Sequence, residues 1–171
     1  MKSARIAKAT LIAAALLAIG AGAVFALADG RSAMAPTVGY TLLDGRQASI
    51  DQLRGKVVLV NFWATTCAAC LHEMPQIVAM HEKFKPRGFD TLAVAMRYDP
   101  PASVVRYAET RRLPFGIAID NTGEIARRFG DVELTPTSVL IDQRGRVAQR
   151  FVGEPDFAEL HKLIEKLLAA P

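Results

Sequence analysis

The sequence contains only two cysteines, Cys67 and Cys70, and they lie three positions apart. Thiol–disulfide exchange requires a thiolate that attacks a disulfide and a second thiol that releases the mixed disulfide. A C-x-x-C pair supplies both groups within a short stretch of chain. A structural disulfide with the same spacing would close a very short loop and would add little stability through chain entropy. The spacing therefore favours redox chemistry.

The two cysteines follow a predicted strand and open a predicted helix. Residues 57–62, Val-Val-Leu-Val-Asn-Phe, form a nearly continuous apolar run that is typical of a central strand buried on both faces. Downstream, mostly apolar residues recur at helical spacing until Pro86-Arg87-Gly88 ends the pattern. The recurring residues are Leu71, Met74, Ile77, Val78, His81 and Phe84.

The position of each cysteine in this helix predicts its role. If Thr65 or Thr66 caps the helix, Cys67 lies in the first turn, where free backbone N–H groups and the helix dipole favour a thiolate. Cys70 then lies one turn further in and is less exposed. We therefore predict that Cys67 is the nucleophile and Cys70 the resolving thiol. Trp63 forms an apolar wall beside them, and Trp63 and Thr66 are predicted to contact the substrate.

Glu73 lies three residues beyond Cys70, on the same side of the predicted helix. A carboxylate there could hold or relay the proton that Cys70 must lose before it attacks. Glu73 could equally be a solvated helix carboxylate. The sequence leaves both interpretations open.

Other uses of a C-x-x-C pair find less support. A zinc site needs two further ligands, but the chain has neither a second C-x-x-C nor an H-x-x-x-H motif. Covalent haem attachment requires histidine directly after the second cysteine, where Leu71 stands. We expect no metal and no cofactor besides the redox-active disulfide. The alternatives are a thiol peroxidase and a copper or haem chaperone with Met74 and Met96 as candidate ligands.

The N-terminus resembles an export signal. Lys2, Arg5 and Lys8 precede an uncharged run that ends at Ala28, and no acidic residue occurs before Asp29. The run is long enough to span a bilayer, so residues 1–28 are predicted to be a cleaved signal peptide or a membrane anchor. From Asp29 onward, the chain has 18 Lys and Arg and 17 Asp and Glu. This near balance of charge gives no support for nucleic-acid binding.

The remaining pattern predicts one α/β domain at residues 40–171, preceded by a linker at 29–39. Strands alternate with helices and end in a hairpin followed by a helix, which indicates a mixed central β-sheet flanked by helices. The predicted elements are a hairpin at 42–50, strands at 57–62, 89–96, 115–119, 137–141 and 146–152, and helices after Cys67 and at 103–112, 124–129 and 157–168.

From about Tyr40 onward, the sequence resembles the thioredoxin superfamily and, within it, the exported TlpA/ResA-like branch. The motifs that carry the resemblance are Gly55-Lys56-Val57-Val58-Leu59-Val60-Asn61-Phe62-Trp63-Ala64-Thr65, then Glu73 and Pro75, then Thr135-Pro136-Thr137, and finally Ile141-Asp142-Gln143-Arg144-Gly145.

The resemblance implies a thioredoxin fold and a thiol–disulfide oxidoreductase outside the cytoplasm, periplasmic and soluble or anchored in the inner membrane. It implies that Pro136 follows a cis peptide and that the Thr135 backbone lies beside the cysteines, where it can pair with a substrate strand. It also implies that the chain reduces protein disulfides, for example on apocytochrome c or a copper-site protein, and that a membrane thiol–disulfide donor supplies the electrons. Residues 98–119 resemble an insertion of this branch.

The chain departs from this branch around the cysteines. Thr66 stands where Trp or Tyr is usual, and Ala68-Ala69 replaces the intervening residues common in relatives. Asn61 stands where thioredoxins have a buried acid, which leaves Glu73 as the candidate proton acceptor. Because residues around the cysteines influence thiolate stability and reduction potential, the direction of exchange is open.

Overall fold

The computed structural model describes residues 33–170, so the predicted signal or anchor at 1–28 lies outside the described residues. The strands are β1 (Gly39–Thr41), β2 (Gln47–Ser49), β3 (Val57–Trp63), β4 (Phe89–Ala95), β5 (Gly116–Ile119), β6 (Thr137–Ile141) and β7 (Val147–Val152). The helices are α1 (Ala68–Phe84), α2 (Pro101–Arg111), α3 (Glu124–Arg128) and α4 (Phe157–Ala169).

Five strands form the central sheet in the order β5-β4-β3-β6-β7. The β3–β4 and β4–β5 pairs are parallel, whereas the β3–β6 and β6–β7 pairs are antiparallel. The predicted mixed sheet is therefore confirmed. The first hairpin, expected at residues 42–50, begins earlier: β1 and β2 form a separate antiparallel pair, and β1 lies before residue 42.

The central strand β3 explains why both faces of the sheet are covered. Its side chains alternate between the faces, and all seven residues are buried. Val58, Val60 and Phe62 join a core cluster that includes Phe129 beyond α3. On the opposite face, the neighbours of Val57 and Leu59 come from α1 and α4 and are Ile77, Met80, Phe84, Leu160 and Ile164. Burial of one such side chain contributes about 1.5–3 kcal/mol.

Two further differences from the sequence expectation concern the second helix and the expected linker. The helix expected from residue 103 begins at Pro101, because proline lacks the N–H that a first-turn residue leaves unpaired. Part of the segment expected to be a linker pairs with the start of β7: Ala35 N donates to Gly145 O at 2.8 Å, and Val147 N donates to Ala33 O at 2.8 Å. Within residues 33–170, no helix is both long and apolar enough to cross a bilayer.

Candidate active site

Cys67 and Cys70 form a disulfide at the start of α1, with their Cα atoms 5.3 Å apart. Cys67 is itself the N-cap of the helix, and its Sγ accepts a hydrogen bond from Cys70 N at 3.2 Å. Cys67 is partly exposed, whereas Cys70 is fully buried. The arrangement directs attack to Cys67, and in the reduced pair the helix N-terminus would favour a thiolate there.

The expectation that Thr65 or Thr66 caps the helix is wrong. The carboxylate of Asp99 accepts hydrogen bonds from Thr65 N at 2.6 Å and from Thr65 Oγ1 at 2.5 Å. Asp99 is itself buried, and it lies in the loop between β4 and α2. Thr65 is therefore hydrogen-bonded to Asp99 and does not cap α1. Asp99 holds the turn that leads into Cys67, a role that sequence reasoning missed because the two residues are 34 positions apart.

Glu73 is fully buried, so the interpretation as a solvated carboxylate is wrong. Its Oε1 accepts a hydrogen bond from Asn61 Nδ2 at 2.8 Å, and its Oε2 has no hydrogen-bond partner among the described residues. Burial raises the pKa of Glu73 to about 7, the Asn61 hydrogen bond lowers it, and the nearby Glu154 carboxylate raises it. Glu73 can therefore hold and release a proton near neutral pH.

Asn61 connects Glu73 to the sheet. Asn61 of β3 lies opposite Ser138 of β6, and Asn61 Nδ2 also lies 3.0 Å from Ser138 Oγ, to which it donates. Both residues point to the face covered by α1, because side chains alternate along each strand. Sequence reasoning noted Asn61 as a substitution for an acid but did not identify Ser138, since strand register is not visible in the sequence.

The peptide bond between Thr135 and Pro136 is cis, as the resemblance implied. Thr137 pairs with Phe62 in an antiparallel register, so Pro136 comes opposite Trp63, the last residue of β3, and Thr135 lies beyond the end of that strand. The turn to Cys67 also leaves the sheet at this edge. The Thr135 side chain lies 3.2 Å from Tyr98 Oη.

The sequence profile of the Redoxin family matches residues 29–164, which is more than half of the chain. This chain belongs to the Redoxin family. Two thiol–disulfide oxidoreductases named ResA are similar to it. The protein from Bacillus thuringiensis subsp. konkukian is 34% identical over 100 residues, and the protein from Geobacillus thermodenitrificans is 33% identical over 96 residues.

These matches cover 58% and 56% of this redoxin and only 57% and 55% of the two curated relatives. The match to a solved structure covers more of this chain than the matches to the two relatives do. The thiol:disulfide interchange protein of the thioredoxin family from Chlorobium tepidum is 30% identical, with a TM-score of 0.75, and the match covers 83% of this chain and all of that one. The thioredoxin fold and the resemblance to ResA-like proteins are thereby confirmed.

The predicted contact between Trp63 and a substrate is corrected by the structure. Trp63 of the redoxin is fully buried, because it ends a strand covered on both faces, and its ring packs against Tyr107 of α2 with centroids 5.3 Å apart. It lies in the same cluster as Cys67 and Cys70, so the prediction of an apolar wall is confirmed. Thr66 is exposed beside Cys67, and its contact with a substrate stays a prediction.

Three large apolar side chains are exposed around Thr135 and Pro136. Leu134 precedes Thr135 and is 67% exposed, and Tyr98, whose hydroxyl contacts Thr135, is 55% exposed. Val152 is 63% exposed and pairs with Thr137. Sequence reasoning did not identify this surface, because its three members come from separate parts of the chain.

Among the described residues, the fold brings together no set of ligands for the metal-binding alternatives. Across residues 33–170, no three His, Cys, Asp or Glu side chains are grouped so that they could hold a metal ion. Met74 and Met96, named as possible chaperone ligands, are both buried in the apolar core.

Proposed function

We propose that this redoxin is an extracytoplasmic thiol–disulfide oxidoreductase that reduces disulfides of protein substrates through Cys67 and Cys70. The observation that carries the proposal is the disulfide at the N-terminus of α1, with Cys67 partly exposed, Cys70 buried, and the buried acid Glu73 three residues further along the same helix. The names of the ResA relatives and of the Chlorobium tepidum protein support the same chemistry.

The reaction begins with the reduced pair. The Cys67 thiolate attacks one sulfur of a substrate disulfide, so a Cys67–substrate bond forms and the other substrate sulfur leaves and takes a proton. Cys70 then gives its proton to the Glu73 carboxylate and attacks Cys67 Sγ. The Cys67–Cys70 disulfide forms, the second substrate sulfur leaves and takes a proton, and the substrate has gained two electrons.

The surface around the cis peptide would receive the substrate. Thr66 and the Thr135–Pro136 segment lie at the end of the sheet where the disulfide is found. The exposed apolar side chains of Tyr98, Leu134 and Val152 extend this surface. An extended apolar segment next to a substrate disulfide fits it, because backbone groups at Thr135 can pair with a strand while side chains bury apolar area.

Another turnover requires an electron donor. We propose a membrane thiol–disulfide protein as the donor, in or near the inner membrane, with the redoxin itself soluble after cleavage near Ala28 or anchored there. The sequence pattern of residues 1–28 and the resemblance to exported relatives support this placement. A reduction potential near −270 mV would agree with a reductant, whereas one near −120 mV would contradict that direction.

Insulin reduction in the presence of dithiothreitol tests the proposal with the full-length chain. We expect the wild-type chain to accelerate reduction and the Cys67→Ala variant to lose the acceleration. Reduction at the wild-type rate by Cys67→Ala would contradict the proposal. Peroxide consumption by the same sample tests the peroxidase alternative, and metal titration tests the chaperone alternative. We expect neither peroxide consumption nor metal binding.

A further inference from the structure

The connections between strands divide into two groups, one at each end of the central sheet. Because β3 and β4 are parallel and β6 is antiparallel to β3, the starts of β3 and β4 and the β6–β7 turn lie at one end. Gly55 N donates to Gln143 O at 2.9 Å, and Val57 N donates to Gly88 O at 3.0 Å. These bonds join the three connections. The disulfide follows β3 and therefore lies at the opposite end.

The end of the sheet away from the disulfide is basic. Its connections, before β3, before β4 and between β6 and β7, cover residues 54–56, 85–88 and 142–146. They contain one acidic residue, Asp142, and six exposed basic residues: Arg54, Lys56, Lys85, Arg87, Arg144 and Arg146. Asp90, at the start of β4, pairs with Lys56 and offsets one of these charges. This basic end, residues 54–56, 85–88 and 142–146, keeps an excess of positive charge.

The disulfide end of the sheet has the opposite charge. Its connections, after β3, after β4, before β6 and after β7, cover residues 64–67, 96–100, 129–136 and 153–156. They contain one basic residue, Arg97, and five acidic residues: Asp99, Asp131, Glu133, Glu154 and Asp156. Charge separated in this way orients a molecule in the field of a charged surface. A negative surface attracts the basic end and repels the disulfide end.

The chain that leads from residues 1–28 enters the domain at the basic end. Residues 33–35 pair with the β6–β7 turn and with the start of β7. Met34 in this segment is 50% exposed, and its side chain lies against Gly145, as does that of Arg54. An exposed apolar side chain beside cations is typical of protein surfaces that lie at a lipid headgroup layer.

We propose that the basic end docks on an anionic lipid bilayer and directs the disulfide away from it. The docking rests on the proposed placement of residues 1–28 at a membrane and not on the disulfide chemistry. With residues 1–28 as an anchor, residues 29–32 separate the bilayer from Ala33, and four residues reach at most about 14 Å. The basic end then stays within about two Debye lengths of the headgroups, where an anionic bilayer attracts Lys and Arg.

This orientation sets the height at which disulfide exchange takes place. β3 has seven residues and rises about 23 Å, so an upright sheet holds the disulfide about that much further from the headgroups than the start of β3. The apolar surface of Tyr98, Leu134 and Val152 then faces protein substrates away from the bilayer. A membrane electron donor must present its own thiols at the same height.

Full-length chain in lipid nanodiscs tests the orientation. The discs contain a phosphatidylcholine with a spin-labelled headgroup, and the broadening of assigned amide NMR signals reports how close each amide is to the headgroups. Gly88 is the probe, because it precedes β4, which β3 separates from the tethered β6–β7 side of the sheet. We expect broadening of Gly88 to be about threefold greater in phosphatidylglycerol discs than in pure phosphatidylcholine discs.

Two internal comparisons accompany this measurement. We expect the Thr66 amide, beside the disulfide, to be broadened little in either lipid, because it lies at the opposite end of the sheet. We expect 0.5 M salt to remove the difference between the two lipids at Gly88, because salt screens the attraction. A chain that does not co-purify with the discs, equal broadening of Gly88 in the two lipids, or stronger broadening at Thr66 than at Gly88 would overturn the docking.

Two double variants with the same net charge provide the matched control. Lys85→Gln/Arg87→Gln removes two charges from the basic end. Arg97→Gln/Arg106→Gln removes two exposed charges elsewhere, one at the disulfide end and one on α2. We expect the first variant to lose most of the additional broadening in phosphatidylglycerol discs and the second to keep it. Equal losses in the two variants would overturn the docking.

The amide spectrum of each variant also shows whether the domain is folded. The measurement uses the disulfide form and requires no turnover, so it separates the docking from the proposed function. A protein that docks through the basic end but reduces no disulfide would contradict the proposed function and support the docking. A protein that reduces disulfides but shows no lipid-dependent broadening would support the proposed function and contradict the docking.

Discussion

Burial of a carboxyl group costs free energy, and Glu73, three residues after Cys70 in α1, is fully buried. Because burial raises its pKa to about 7, Glu73 holds a proton in the folded protein at pH values where the unfolded chain has lost it. Ionisation of Glu73 therefore destabilises the fold. The free energy of unfolding should fall as pH rises from the unfolded pKa, near 4.5, to about 7 and then level off.

Glu73→Gln should remove this pH dependence, because the amide keeps an acceptor for Asn61 and does not ionise. We expect the variant to be more stable than the wild type by about 3 kcal/mol above pH 7 and similar to it near pH 4.5. Urea unfolding of the disulfide form at the two pH values measures this. Glu82→Gln, on the same helix but exposed, is the control. Equal pH dependence in wild type and Glu73→Gln would contradict the account.

Asp99 is the second buried acid near the site. Its role is structural, because it holds the turn that leads into Cys67. Asp99→Ala removes both acceptor oxygens, so neither bond from Thr65 can form. We expect a loss of about 1.5–3 kcal/mol in the free energy of unfolding, measured by urea denaturation. Thr65→Val, which removes only the hydroxyl bond, should lose less. An Asp99→Ala protein as stable as wild type would show that the turn is held by other contacts.

At the level of elements, the order of strands and helices was predictable, whereas the contacts between elements were not. The apolar run at 57–62 and the helical spacing after Cys70 placed the cysteines between β3 and α1. The N-cap was missed because Asp99, from the β4–α2 loop, competes for Thr65. The burial of Glu73 depends on Asn61 and on the packing of α1 onto the sheet, and a pattern along one segment contains no such information.

The apolar surface at the cis peptide is a property of three elements together, and its proposed role can be separated from the chemistry. We expect Leu134→Ser to lower kcat/KM for a disulfide-bonded protein by about 5- to 10-fold, since an exposed side chain of this size contributes about 1 kcal/mol when a partner covers it. Reduction of cystine should be unchanged, because it is too small to reach Leu134. Leu43→Ser, at an exposed apolar residue outside this surface, is the control. Equal losses on both substrates would contradict a docking role.

For the whole molecule, the proposal of export rests on the sequence of residues 1–28. A fusion of residues 1–35 to a reporter enzyme that is active only outside the cytoplasm should be active. Replacing Leu16 and Leu17 with aspartate interrupts the apolar run and should abolish the signal. A silent wild-type fusion would contradict the extracytoplasmic placement and, with it, the proposed membrane electron donor.

The five-stranded sheet explains how one chain can keep a reactive pair in a fixed geometry. β3 positions the turn before Cys67, β6 positions Thr135 and Pro136 at the same edge, and the Asn61–Ser138 pair links both strands to Glu73. The site therefore draws on rigid elements rather than on one loop. Disulfide exchange through a defined nucleophile is the central claim that this geometry supports.

Trapping of the mixed disulfide tests that claim most directly. The reduced Cys70→Ala and Cys67→Ala variants are mixed with a disulfide-bonded protein, and covalent adducts are measured by mass spectrometry. We expect Cys70→Ala to accumulate an adduct at Cys67, because no resolving thiol remains, and Cys67→Ala to form none, because Cys70 is buried. An adduct at Cys70 in Cys67→Ala, or none in Cys70→Ala, would contradict the account.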